Sequence, residues 1–164
     1  MTIRFGILTL SDRSSRGERP DASGPALADL IRTQNWLVAE QAILADEESA
    51  ISAMLTVWAE SGRFDVILTT GGTGFALRDV TPEATRAVIQ RDAPGLAEAM
   101  RSESLKKTPH AMLSRGIAGI RGRTLIINLP GSPKGAVENL QTVLPVLPHA
   151  VQLLKDDPDS ETTH

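Results

Sequence analysis

Short apolar runs alternate along this chain with longer stretches whose apolar residues recur every three or four positions. Residues 3–10 are mostly apolar, broken only by Arg4, Gly6 and Thr9, and read as a strand. Residues 37–44 are strand-like. Residues 64–70 carry the continuous run Val66-Ile67-Leu68, the pattern of a central strand covered on both faces. Residues 117–129 read as a strand pair around Arg121-Gly122, ending in Leu125-Ile126-Ile127. Helical periodicity fills the gaps. Ser23 can cap a helix to about Asn35 with Leu27, Leu30 and Ile31 on its apolar face. Asp46 opens the clearest amphipathic helix, with Ile51, Met54, Leu55 and Trp58 on one side. Further helices are expected over 81–91, ended by Pro94, over 95–107, and from Ser132-Pro133 with Val137, Leu140 and Leu144 inward. Pro145 and Pro148 interrupt that last helix, and 149–155 supplies a short final turn or helix. Strands alternating with helices imply a single-domain, three-layer α/β/α fold over residues 1–155, doubly wound around a mostly parallel sheet. Residues 156–164 are acidic and polar, and read as a flexible tail.

In such sheets ligands bind beyond the carboxyl ends of the strands. Three unusual loops follow strands and should converge there: Ser11-Asp12-Arg13-Ser14, residues 71–79, and Asn128-Leu129-Pro130-Gly131-Ser132-Pro133-Lys134. After Thr70, Gly71-Gly72-Thr73-Gly74 brings three glycines into four positions, so backbone N–H groups can approach a ligand with no Cβ in the way. The turn is neither a Walker A loop nor a dinucleotide fingerprint, because no Gly-Lys-Ser/Thr follows and the helix starts only at Thr81.

Thr81 is expected to cap that helix, Pro82 to occupy its first turn and Glu83 to complement its dipole, which leaves Asp79 unneeded for helix formation. A carboxylate beside a phosphate-sized turn suggests magnesium-dependent phosphate chemistry; the plain alternative is a solvated acid next to Arg78. Asp46 has two readings, a helix N-cap or a second magnesium ligand. Lys134, in the first turn of the last helix, is either an exposed lysine or a partner for a phosphate seated on that N-terminus. Ser132 is correspondingly a cap or a phosphate partner. Asp12 and Ser14 are ordinary turn residues unless their place at the ligand edge gives them substrate.

Composition narrows the chemistry. The 164 residues include no tyrosine and 3% aromatics, so the core must be aliphatic. The net charge of −3, without a basic stripe, argues against nucleic acid as a partner. The absence of cysteine excludes disulfides, thiolate metal sites and cysteine nucleophiles, and fits the cytoplasm. No apolar run approaches the roughly 20 residues of a membrane span. His110, His149 and His164 are scattered, and none reads as a metal ligand or catalytic base.

Thr69-Thr70-Gly71-Gly72-Thr73-Gly74 with Arg78-Asp79-Val80-Thr81-Pro82-Glu83-Ala84-Thr85 resembles the signature of the MoaB/Mog family of molybdopterin-binding proteins, and 128–134 resembles its second signature. Leu10-Ser11-Asp12-Arg13-Ser14 and Asp21-Ala22-Ser23-Gly24 agree with it, so the resemblance runs from about residue 3 to 154. It implies a domain that transfers AMP from ATP onto the terminal phosphate of molybdopterin, with magnesium, and releases pyrophosphate. The family's two key acids match Asp46 and Asp79, which gives Asp46 a catalytic or metal-binding role. It implies that Ser11, Asp12, Ser14, Thr70, Gly71 to Gly74, Pro130, Gly131, Ser132 and Lys134 hold the substrates. It further implies a homotrimer or hexamer and a downstream molybdotransferase. The rival reading is a paralogue that carries molybdopterin without adenylylating it.

Overall fold

Alternate side chains of the central strands are buried against opposite layers, and this period of two sets the architecture. The computed structural model describes residues 1–156. Strands β1 (Arg4–Leu10), β2 (Leu37–Leu44), β3 (Val66–Thr70), β4 (Arg91–Asp92), β5 (Ala118–Arg121) and β6 (Thr124–Leu129) form one sheet ordered β2-β1-β3-β6-β5-β4. The first four in that order run parallel; β5 is antiparallel to both β6 and β4. Along β3, Val66 and Leu68 join one apolar cluster and Ile67 the other. The first cluster takes Leu27 and Ile31 of α2 (Ser23–Thr33), Met100 of α5 (Pro94–Leu105), Leu140 of α6 (Pro133–Val143) and Val151 of α7 (Leu147–Leu154). The second takes Ile51, Leu55 and Trp58 of α3 (Glu48–Glu60) and Ala84 of α4 (Thr81–Arg86). The three-layer, mostly parallel α/β/α sandwich read from the sequence is thus the fold. Among the described residues no helix is long and apolar enough to cross a membrane. Of the tail expected over 156–164, residues 157–164 lie outside the described residues.

Local departures have identifiable causes. The helix expected over 81–91 stops at Arg86, because Gln90 N–H donates to the Ile120 carbonyl and Arg91 pairs with Ile120 as β4. The polar loop after β1 contains a single helical turn, α1 (Asp12–Ser15), capped by the Ser11 hydroxyl accepting from Ser14 N–H. A 3-10 turn at Pro109–Leu113 follows α5. Ser23 is the first residue of α2 rather than its cap; the Asp21 carboxylate accepts from Gly24 N–H instead.

The end of the sheet remote from the glycine turn is locked by one buried acid. Asp65, just before β3, accepts from Arg4 N–H at 2.8 Å and from the Arg4 guanidinium at 3.2 and 2.8 Å. Lys155 Nζ adds an ion pair at 3.2 Å. The main chain of Asp65 also bridges Arg4 and Leu125, so one residue ties β1, β3, β6 and the end of α7 together. Burial alone pushes the Asp65 carboxyl up, but the hydrogen bonds from Arg4 and Lys155 outweigh it and hold it below the usual aspartate range. A carboxyl with a depressed folded-state pKa contributes stability above its unfolded pKa, about 3.9, and that stability is lost as pH falls through the folded value. We therefore expect Asp65→Asn to lower the urea midpoint at pH 7, and the gap to the parent to close under acid conditions. Equal midpoints for the two proteins at pH 7 would remove Asp65 from this role.

Candidate functional site

At the carboxyl end of β3 the backbone turns through two left-handed glycines, Gly71 (φ +103°) and Gly72 (φ +68°). Neither tolerates a side chain. A methyl group on Gly71 would fall 2.4 Å from the Leu10 carbonyl oxygen, and one on Gly72 would fall 2.3 Å from Thr81 Oγ1. Gly131 is close but less crowded, since its added Cβ would lie 3.3 Å from Gly71 Cα. Hydrogen bonds fix the crossing. Gly71 N–H donates to Leu129 O at 3.1 Å and Thr70 Oγ1 to Pro130 O at 2.7 Å. Thr81 Oγ1 donates to Gly71 O at 2.9 Å. The N–H groups of Gly72, Thr73 and Gly74 find no acceptor among the described residues. Buried or half-buried main-chain donors left this way are suited to oxygen atoms of a ligand.

The Thr81 bond corrects the expected cap. Val80 stands at the N-cap of α4 with no side-chain bond, and the Thr81 hydroxyl secures the glycine turn instead. Asp46 is not a cap either. Helix α3 starts at Glu48 with Glu47 before it, and Asp46 Oδ2 accepts from Asp12 N–H at 3.0 Å. Asp46 N–H donates in return to Asp12 Oδ1 at 3.0 Å. The other oxygen, Asp46 Oδ1, is buried and has no partner among the described residues. It lies 3.2 Å from where a Cβ on Gly72 would stand, so it borders the glycine turn. Burial is the main force raising the Asp46 carboxyl above its ordinary range, and the charges of Asp12 and Asp79 push the same way. Asp12 is held low by two hydrogen bonds from Arg78, at 3.0 and 2.9 Å.

Two hollows meet at this turn. The larger, about 700 Å³, is lined by Ser11, Ser14, Asp21, Asp46, Thr70, Gly71, Gly72, Asp79, Gly131 and Ser132, among others. The smaller, about 330 Å³, is lined by Thr73, Gly74, Pro130 and Ser132 from the expected set. The smaller hollow also takes Arg101, Ser104, Lys107, His110 and Asn128. The structure therefore brings Asp46 and Asp79 to one cavity, with Ser132 on the wall common to both. Two expected residues line neither hollow. Asp12 is engaged with Arg78 and Asp46, and Lys134 is exposed between Pro133, on the larger hollow, and Gly135, on the smaller. Ser132 does cap α6, its hydroxyl accepting from Gly135 N–H at 3.1 Å.

The sequence reading missed the residue that holds the turn from outside. Arg115 donates from its main chain to Thr73 O at 2.8 Å, and from its guanidinium to Gly74 O at 2.8 Å and Asp79 O at 2.7 Å. Glu83 closes the set with an ion pair to Arg115. The available signal was compositional: Arg101, Lys106, Lys107, His110 and Arg115 crowd basic side chains into one short stretch.

Comparison with known proteins identifies the family. The family described as "Probable molybdopterin binding domain" matches residues 6–149. The molybdopterin adenylyltransferase of Helicobacter pylori (strain J99) is 46% identical over 155 residues, covering 93% of this chain and 88% of that protein. The molybdenum cofactor synthesis protein cinnamon of Drosophila melanogaster is 48% identical over 95% of this chain, but the match spans only 26% of that longer protein. The solved structure of the molybdopterin biosynthesis enzyme MoaB from Thermus thermophilus superposes with a TM-score of 0.90 at 54% identity, covering 96% of this chain and 99% of that one.

The raised Asp46 carboxyl makes a prediction for the ligand-free protein. An acid whose folded pKa is raised works against folding when ionised, and the penalty is relieved as pH falls through the folded value toward the unfolded one, about 3.9. In the presence of a chelator, Asp46→Asn should unfold at a higher urea concentration than the parent at pH 7. That advantage should vanish below about pH 4. A variant less stable than the parent at pH 7 would contradict the assigned burial penalty.

Proposed function

The chain belongs to the family of probable molybdopterin binding domains, and on that footing we propose that it is a molybdopterin adenylyltransferase. It moves AMP from ATP to the terminal phosphate of molybdopterin and releases pyrophosphate. The observation that carries this reading is the meeting of Asp46, Asp79 and the three unpartnered N–H groups of the glycine turn at the junction of two hollows. A transfer between two phosphorylated molecules must bring their anions side by side, and two hollows that share Ser132 in their lining suit that.

In this step an oxygen of the molybdopterin phosphate attacks the α-phosphorus of ATP. The bond from that phosphorus to the bridging oxygen breaks, and the electron pair leaves with pyrophosphate. No side-chain nucleophile is required. The N–H groups of Gly72, Thr73 and Gly74 face negative oxygen with fixed dipoles, and they do not reorganise as charge shifts. Ser132 and the first turn of α6 offer further donors, and Lys134 offers a cation at the entrance. Alignment of the two phosphates, rather than acid–base chemistry, is the chief task of the walls.

Magnesium fits the donor set. Asp46 Oδ1 is buried without a partner, and both Asp46 and Asp79 present hard oxygen to the larger hollow. Among the described residues no group of three or more His, Cys, Asp or Glu could hold a metal alone, so such an ion would depend on phosphate oxygens and water to complete its shell. When bound, the ion offsets the charge gathering on the phosphate oxygens. We propose further that the protein works in the cytoplasm as a homotrimer or hexamer and passes its product to a molybdotransferase.

Purified protein supplied with molybdopterin, ATP and magnesium should release pyrophosphate. Tight pterin binding without turnover would instead identify a carrier. Asp79→Asn should retain the fold and most ligand affinity while losing most turnover; a variant as active as the parent removes Asp79 from the chemistry. Lys134→Ala should weaken affinity for a phosphorylated ligand by about 1–3 kcal/mol, the scale of a charge-assisted hydrogen bond. Calorimetric titration that finds no change would leave Lys134 an ordinary surface cation.

A further inference from the structure

Asp46 and Asp79 lie on loops that follow different strands, β2 and β3, and nothing in the sheet itself fixes one against the other. The Arg78 side chain spans the gap. Arg78 directly precedes Asp79, and its guanidinium forks onto both oxygens of Asp12, at 3.0 and 2.9 Å, and reaches Glu47 Oε1 at 2.8 Å. Asp12 is bonded reciprocally to Asp46 at 3.0 Å in each direction. Glu47 is the next residue after Asp46. The chain of contacts therefore runs from the main chain of Asp79, through Arg78, to both sides of Asp46. On its far side the Asp79 carbonyl is fixed by Arg115. Within the loop, the Asp79 carboxylate accepts from Ala76 N–H at 3.0 Å.

We propose that Arg78 is a positioning residue for the adenylyl transfer: it sets the spacing between Asp46 and Asp79 without touching the reacting atoms. The inference rests on the function proposed above. The Arg78 side chain is 55% exposed, where an ion pair contributes little to folding by its charge alone. A bidentate fork fixes orientation as well as charge, and small displacements of aligned groups slow a reaction steeply. Arg78 also pairs with Asp12 and Glu47, while Asp46 and Asp79 line the larger hollow together with Asp21.

The test measures turnover of pyrophosphate and amide hydrogen exchange on the full chain with Arg78→Ala, Arg78→Lys and Glu47→Gln. Expected for Arg78→Ala is a fall in kcat of about tenfold to a hundredfold, with KM for ATP changed by less than about threefold. Exchange in the 74–80 segment should quicken while β3 stays protected. Arg78→Lys keeps the charge but loses the fork, and should recover only part of the rate. Glu47→Gln, which loses one arm, should cost less than Arg78→Ala. The proposal is overturned by a kcat within twofold of the parent. A raised KM with unchanged kcat also overturns it, since that marks a direct phosphate contact. Full rescue by Arg78→Lys overturns it too, since charge alone would then suffice. If the parent itself releases no pyrophosphate, the adenylyltransferase reading fails separately. The exchange data still decide the geometric claim, and an unchanged 74–80 segment ends it.

Discussion

Everything at the ligand edge depends on how closely main chains pass at the end of β3. Gly71 and Gly72 turn the backbone in the left-handed sense, with Leu10 O pressed against one and Thr81 Oγ1 against the other. The loops after β1 and β6 meet the turn there, Leu129 and Pro130 through hydrogen bonds and Gly131 through direct backbone contact. A Cβ at Gly71 would collide with the Leu10 carbonyl and one at Gly72 with the Thr81 hydroxyl, so the absence of side chains at these two positions is what allows the segments to pass so closely. The catalytic proposal, the candidate metal ligands and the role given to Arg78 all assume this convergence.

Charge at the junction is distributed unevenly, and for a physical reason. Asp12 and Asp46 exchange hydrogen bonds and yet are shifted in opposite directions from the ordinary aspartate range: Arg78 holds Asp12 low, while burial first and then neighbouring acids raise Asp46. Such an acid is poorly compensated within the protein, which is the state expected of a group awaiting a cation. The remote cluster at Asp65 has the opposite character. There the acid is buried too, but Arg4 and Lys155 overcompensate it. One end of the sheet is electrostatically settled and the other is left with unmet demand.

Much of the fold was legible because it is written in local pattern. Val66-Ile67-Leu68 announces a strand buried on two faces, and the alternation of strands and helices fixes the layers. The family was legible from two motifs whose spacing survives intact. Capping was not. Thr81 and Asp46 both occupy positions where a cap belongs, and each is drawn away by a partner distant in sequence, Gly71 in one case and Asp12 in the other. Propensity describes an isolated helix end, and tertiary hydrogen bonds override it. Arg115 was hidden for the same reason, since the stretch around it has no periodicity and acquires its place through contacts with residues 73–83.

The buried acid that joins Arg4 to Lys155 also brings the start of β1 and the end of α7 to one place. Both points lie beside the amino ends of β1 and β3, across the full depth of the sheet from the glycine turn. Loosening that cluster would therefore disturb the back of the sheet first, away from the glycine turn and the hollows beside it.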